Sequence, residues 1–175
     1  MSAIVCDSCV MQRYIEALIA GQVDCAIDVI NCIRENHKFA MDMGRKMEHQ
    51  WIETCGHQIF GEILVTWLRE GRIEIFPGKL HEQHRKYLQT KCGFPFSQRH
   101  EGVFVSVAAE AFPHILVGDD LDFWEPAEKG CPGERRRKLM GNGKGSVCVY
   151  LKRELDVQVT WVEQAINLLC PDTGE

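Results

Sequence analysis

No apolar stretch in the 175 residues approaches the roughly 18–20 residues of a membrane-crossing helix, so no membrane span is expected. A basic n-region and a long apolar h-region are missing too, and Met1-Ser2-Ala3-Ile4-Val5 runs straight into a strand-like segment. Without such a signal the expected compartment is the cytoplasm. An excess of positive charge is lacking: the net charge is −5, so the surface as a whole does not advertise nucleic-acid binding. There is no internal repeat and no linker dividing the chain, which fits a single domain over residues 1–170 with a polar tail at 171–175. Cys6-x-x-Cys9 has zinc-like spacing but lacks a second pair or a Cys/His cluster to complete it. The nine cysteines are odd in number and lie mostly inside apolar patterns, so they read as buried free thiols.

What the sequence does contain is an alternation of short apolar runs and helical periodicities, in a chain with 45% hydrophobic and 26% charged residues. Ala3-Ile4-Val5-Cys6 reads as a buried strand closed by Asp7 and Ser8. Val10, Tyr14, Ile15, Leu18 and Ile19 then recur at helical spacing until Gly21. Residues 23–35 predict a second helix, 38–41 a second strand, and 46–55 and 59–69 two further helices. Ile73-Glu74-Ile75-Phe76 is either a short strand or an irregular link. Helices follow at 80–91 and 100–111, the second capped by Ser97 or His100. Residues 127–145 carry prolines, glycines and arginines and read as a long inserted loop, a candidate functional segment. A helix at 146–154, a strand at 157–160 and a helix at 162–169 complete the order. Strand–helix alternation of this kind implies an α/β fold, a three-layer α/β/α sandwich around a mostly parallel sheet.

The organising stretch is His114 to Trp124, an apolar run that ends at Gly118 and delivers Asp119, Asp120 and Asp122. In open α/β sheets, ligands bind outside the carboxyl ends of strands. Three carboxylates at such an end form either a solvated acidic turn or a seat for a hard cation, since their mutual repulsion calls for a compensating charge. All-oxygen donors suit Mg²⁺ or Mn²⁺. Asp7 lies at the carboxyl end of the first strand, as a helix cap or a ligand. Glu101, in the first turn of its helix, suits the helix dipole or reaches the same edge. Glu48 sits beside Met47 and Trp51 on a helix, as a surface residue or a further acid. His81 and His84 read as a solvated helix face, and Trp124 either stacks a base or fills the core. Arg135, Arg136, Arg137 and Lys138 form a basic run that is either solvated or holds phosphates.

On three segments the chain resembles the PIN-domain family of metal-dependent nucleases. These are Ile4-Val5-Cys6-Asp7-Ser8-Cys9, Glu101 to Ala108 (EGVFVSVA) and Leu116 to Phe123 (LVGDDLDF). The resemblance implies that Asp7, Glu48, Glu101, Asp120 and Asp122 are the catalytic and metal-holding acids, with Glu53 the alternative to Glu48. It implies a PIN-like fold, Mg²⁺ or Mn²⁺ as cofactor, and endoribonuclease hydrolysis of single-stranded RNA, with Arg135 to Lys138 on the nucleic acid. It admits an antitoxin or another protein partner, as in toxin–antitoxin pairs, and a homodimer. Two departures stand out: Glu101 replaces the usual Asp, and Gly118 replaces a usual Thr or Ser. The competing enzyme reading, an aspartyl phosphatase resembling the haloacid-dehalogenase family, needs D-x-D after the first strand, and Asp7-Ser8-Cys9 lacks the second Asp. The competing reading outside enzymes is a PIN-like module that binds RNA or a protein without cutting.

Overall fold

The structure is a computed structural model that describes residues 2–96 and 101–170, except for the side chains of His57 and Glu101. The caps expected from Ser97 or His100 and the tail at 171–175 lie outside the described residues.

Strand β1 (Ala3–Cys6) is buried at all four positions, as a strand covered on both faces of a parallel sheet must be. Helix α1 (Ser8–Ala20) follows at once and stops at Gly21, whose φ of 61° lies in the left-handed region that glycine reaches without a Cβ penalty. Helix α2 (Cys25–Asn36) starts at Asp24, whose carboxylate accepts the Ala26 amide. Strand β2 (Lys38–Asp42) leads to α3 (Lys46–Cys55) and α4 (His57–Arg69). The ambiguous segment Ile73–Phe76 is strand β3, because it pairs with β2 along its whole length, Phe39 with Ile73 through Asp42 with Phe76. Helices α5 (Glu82–Lys91) and α6 (Glu101–Glu110) precede strand β4 (Ile115–Val117).

Residues 127–145 differ from the loop expected of them. After a short turn at Pro126–Glu128 they form helix α7 (Gly133–Asn142). The breakers sit at its edges: Pro132 precedes the first turn, and Gly143 ends it in the left-handed region at φ 58°. The residues between them, Glu134 to Met140, are mostly strong helix formers. Helix α8 (Ser146–Leu155), strand β5 (Gln158–Thr160) and α9 (Val162–Leu169) complete the order.

The strands form one all-parallel sheet in the order β3-β2-β1-β4-β5. Right-handed crossovers then place α1 to α4 on one face and α5 to α8 on the other, because the chain moves outward in opposite directions from β1. Contacts agree: α1 packs on α2 and α3, α2 packs on α9, and α6 lies on β1, β2 and β4. This is an α/β fold, consistent with a three-layer α/β/α arrangement. Among the described residues no helix is long and apolar enough to cross a membrane.

Two side-chain expectations change. Cys32 and Cys170 are joined in a disulfide that ties α2 to the end of α9, so not every cysteine is a free thiol. Sequence spacing gave no sign of the pair, which lies 138 positions apart, because only the packing of α2 on α9 brings the two together. Trp124 is 1% exposed and belongs to the core. A base cannot reach it there.

Candidate carboxylate site at the sheet edge

The strand order reverses direction at β1 and β4, which are neighbours, while their connections leave on opposite faces. Such a switch point opens a crevice at the strand carboxyl ends. Asp7 follows β1 there, and Gly118, Asp119, Asp120 and Asp122 follow β4. The backbone fixes this meeting, since the Asp7 amide donates to the Val117 carbonyl at 2.8 Å and the Gly118 amide to Thr160 at 3.0 Å.

Four carboxylates near these strand ends are buried: Asp7 and Asp122 at 2% exposure, Asp42 at 3% and Glu48 at 8%. Burial of a carboxylate needs a partner, and the partners sort the four. Asp42 takes the amides of Lys46 at 3.0 Å and Met47 at 2.8 Å, so it starts α3. Glu48 is gripped by Arg45 through Nε at 2.6 Å and Nη2 at 2.5 Å. Arg45 holds this position with φ at 59°, unusual for a residue with a side chain. Asp7 accepts from the Cys9 thiol at 2.7 Å and from the Ser8 hydroxyl at 3.4 Å. Asp122 accepts from Lys129 Nζ at 2.6 Å, and the same ammonium lies 3.5 Å from Asp120.

Asp7 and the segment after β4 are brought together. Cys9 joins them, donating to Asp7 while its sulfur accepts the Asp119 amide at 3.3 Å. Burial, and next the nearby Asp7 charge, push the Cys9 thiol well above its ordinary pKa, so it stays a protonated donor. Cys6, buried in β1, is pushed up for the same two reasons. A cleft of about 180 Å³ opens here, lined by Cys9, Asp119, Asp120, Leu121, Lys129, Gly130 and Arg136.

Asp119, first of the three clustered acids, has a structural task. Its carboxylate accepts the Val162 amide at 3.1 Å at the start of α9 and Arg13 Nη1 at 3.2 Å. Burial raises its pKa, and the nearby Glu163 adds to this against the opposing Val162 bond. Asp120 caps the short turn Leu121–Phe123 by accepting the Asp122 amide at 3.0 Å. Its side chain keeps 28% exposure.

Glu48 rides on a helix docked over the same edge: Trp51 Nε1 donates to the Cys6 carbonyl at 3.0 Å, and Gln50 reaches the Ser8 hydroxyl at 3.4 Å. Its carboxylate is turned to Arg45. Glu53, on the same helix, is exposed. Glu101 opens α6, but its side chain lies outside the described residues. Among the described residues, no group of three or more His, Cys, Asp or Glu side chains converges as a metal seat. His81 and His84 are not one either; His84 Nδ1 bonds the Tyr150 hydroxyl at 2.9 Å.

The basic run is not one uniform patch. Arg135 pairs with Glu128 and Arg136 donates to the Asp119 carbonyl, although both side chains are exposed. Arg137 and Lys138 are exposed on α7. Lys129, ion-paired with Asp122 and near Asp120, is the residue at this edge that sequence reasoning did not single out. Its signal was weak: one lysine in a breaker-rich segment, seven positions after Asp122.

The donor chemistry of Asp7, Asp120 and Asp122 is all carboxylate oxygen, the kind that Mg²⁺ and Mn²⁺ select. The Lys129 ammonium beside Asp120 and Asp122 marks a place that accepts positive charge. The match is one of donor type, since the described side chains do not converge as a seat of three. Compared with known proteins, the chain matches no family model, no curated protein and no solved structure.

Proposed function

We propose that the protein is a metal-dependent nuclease of PIN-like character that hydrolyses phosphodiester bonds in single-stranded RNA. The observation that carries this reading is that Asp7 and the segment bearing Asp120 and Asp122 follow neighbouring parallel strands at the switch point of the sheet, joined through Cys9 and next to a cleft. Asp7, Asp120 and Asp122 would hold the ion, with Glu101 as the fourth acid. When bound, Mg²⁺ or Mn²⁺ supplies Lewis acidity towards the phosphoryl group and lowers the pKa of water.

The chain's own groups supply the rest. Asp7 is kept in place by Cys9 and Ser8, whose donors face its two oxygens. Asp120 holds the turn that presents Asp122. Arg137 and Lys138, with no task inside the fold among the contacts described above, suit the phosphates of a strand crossing the cleft. Glu48, paired with Arg45, enters the site only if that pair opens.

The self-pairing of Glu48 with Arg45 and of Asp122 with Lys129 favours a second reading, a module that binds RNA or a protein without cutting. A cleavage assay on a single-stranded RNA with Mn²⁺ separates the two. Cleavage is expected from the parent protein, lost with EDTA, and lost in Asp7→Asn and Asp120→Asn, which keep size but remove charge. Tight RNA binding without cleavage supports the binding module instead.

A further inference from the structure

Strand β5 ends the sheet and pairs only with β4. Beside it, α7, α8 and α9 border a cavity of about 600 Å³, within the size range of small-molecule sites. Its floor is apolar and buried: Trp124, Met140 and Cys148 are 1%, 3% and 6% exposed. Its rim is polar and exposed, with Asn142 from α7, Lys152 and Arg153 from α8, Gln158 from β5 and Gln164 from α9. Two cations and three amides stand there without one acidic residue in the lining, in a chain of net charge −5. Lys152 bonds Asp156 and Arg153 bonds Glu154, both outside the lining. Exposed pairs of this kind are weak and exchange for a better partner. The backbone adds two more groups. The Gln158 amide donates to the His114 carbonyl at 2.8 Å, and the Thr160 carbonyl accepts the Gly118 amide at 3.0 Å. Both residues therefore face β4, and alternation along the strand turns the N–H and C=O of Val159, between them, to the free edge. Trp124 Nε1 is buried with no hydrogen-bond partner among the described residues, a state that calls for an acceptor.

We propose that this cavity binds a nucleoside monophosphate. The N–H and C=O of Val159 form a donor–acceptor pair of the kind that matches the hydrogen-bonding edge of a base, and the rim amides of Asn142, Gln158 and Gln164 extend it. Met140 and Val149 offer apolar contact to a flat ring. The seated base supplies the acceptor that the Trp124 indole lacks. Lys152 and Arg153 share a face of α8 with Cys148 and Val149. They take the phosphate at the mouth, Lys152 as a point charge and Arg153 as a fork of donors. None of the carboxylates at the strand ends takes part, so the nuclease reading and this one stand or fall separately.

Calorimetry and ¹H–¹⁵N spectra of the full chain, without added metal, test this with AMP, UMP, adenosine and inorganic phosphate. At least one of the two nucleotides should bind about tenfold tighter than adenosine or phosphate, each of which lacks half of the contacts. In the unaltered protein the indole N–H resonance of Trp124 should shift on adding that nucleotide. The resonance of Trp51, already bonded to the Cys6 carbonyl at 3.0 Å, should stay in place. Lys152→Ala with Arg153→Ala should weaken binding by about tenfold, the equivalent of one charged hydrogen bond. Val149→Trp, at a position 44% exposed on the mouth, should block binding. The Trp124 resonance reads the same cavity even where that variant does not fold. Absence of binding by both nucleotides overturns the proposal. So does phosphate binding as tightly as either nucleotide, which marks a surface anion contact. Nucleotide binding that leaves the Trp124 resonance unmoved, or that survives in folded Val149→Trp, places the ligand elsewhere and overturns it too.

Discussion

At the scale of the residue, Gly118 decides how tightly the site is packed. A Cβ built there would lie 3.2 Å from Phe123 and 3.3 Å from the Cβ of Asp7. Both are closer than ordinary carbon contacts, and neither neighbour moves freely: Phe123 is fully buried and Asp7 is held by its strand and by Cys9. The hydroxyl that a Thr or Ser would bring is thus absent for a packing reason visible in this fold. Gly118→Ser should destabilise the protein by about 1–3 kcal/mol, the usual cost of overfilling a packed site. Urea unfolding gives the value, and an unchanged midpoint would show that the site has room.

At the scale of the element, α7 separates two kinds of basic residue that look alike in sequence. All four are exposed, but Arg135 bonds Glu128 and Arg136 bonds the Asp119 carbonyl. If RNA crosses this face, Arg137→Ala with Lys138→Ala should weaken binding and flatten its salt dependence. The slope of log K against log salt should fall by roughly 1.4, at about 0.7 per phosphate contact on a single strand. Turnover at saturating RNA should hold, since phosphate contacts set affinity and not chemistry. Filter binding at several salt concentrations checks the slope.

The same element marks where sequence reading stopped short. Apolar periodicity and glycine stops foretold β1, β2, α1 and α3 closely, because buried strands and amphipathic helices leave their pattern in the sequence. Residues 127–145 gave no such pattern. Helix α7 buries only Met140, so its helicity comes from propensity and caps, and Pro132 with Gly143 reads equally as loop punctuation. Asp7, Asp120 and Asp122 were legible as acids at strand ends. Lys129 was not, because an ion pair across a turn has no signature beyond one charged residue.

At the scale of the whole molecule, Arg13 joins parts that are remote in sequence. From α1 it reaches Asp24 at the start of α2 at 2.9 Å, Asp119 after β4 at 3.2 Å and Glu163 on α9 at 2.8 Å. It thereby braces the edge that carries the acids against the last helix. With the side chain 33% exposed, each pair is partly screened by solvent. Arg13→Met should nevertheless cost about 2 kcal/mol, because Asp119 and Asp24 lose a charged hydrogen bond while remaining partly buried. Chemical denaturation checks this, and a variant as stable as the parent would show that the brace is ornamental.

The proposed nuclease reading requires a divalent ion held by Asp7, Asp120 and Asp122 at the switch point of the sheet. The most direct test is anomalous diffraction from crystals of the protein grown with Mn²⁺. The nuclease reading predicts an anomalous peak among these three side chains, with carboxylate oxygens about 2.0–2.6 Å from the metal. A map with no manganese peak at this edge, with Asp122 still paired to Lys129, would contradict it.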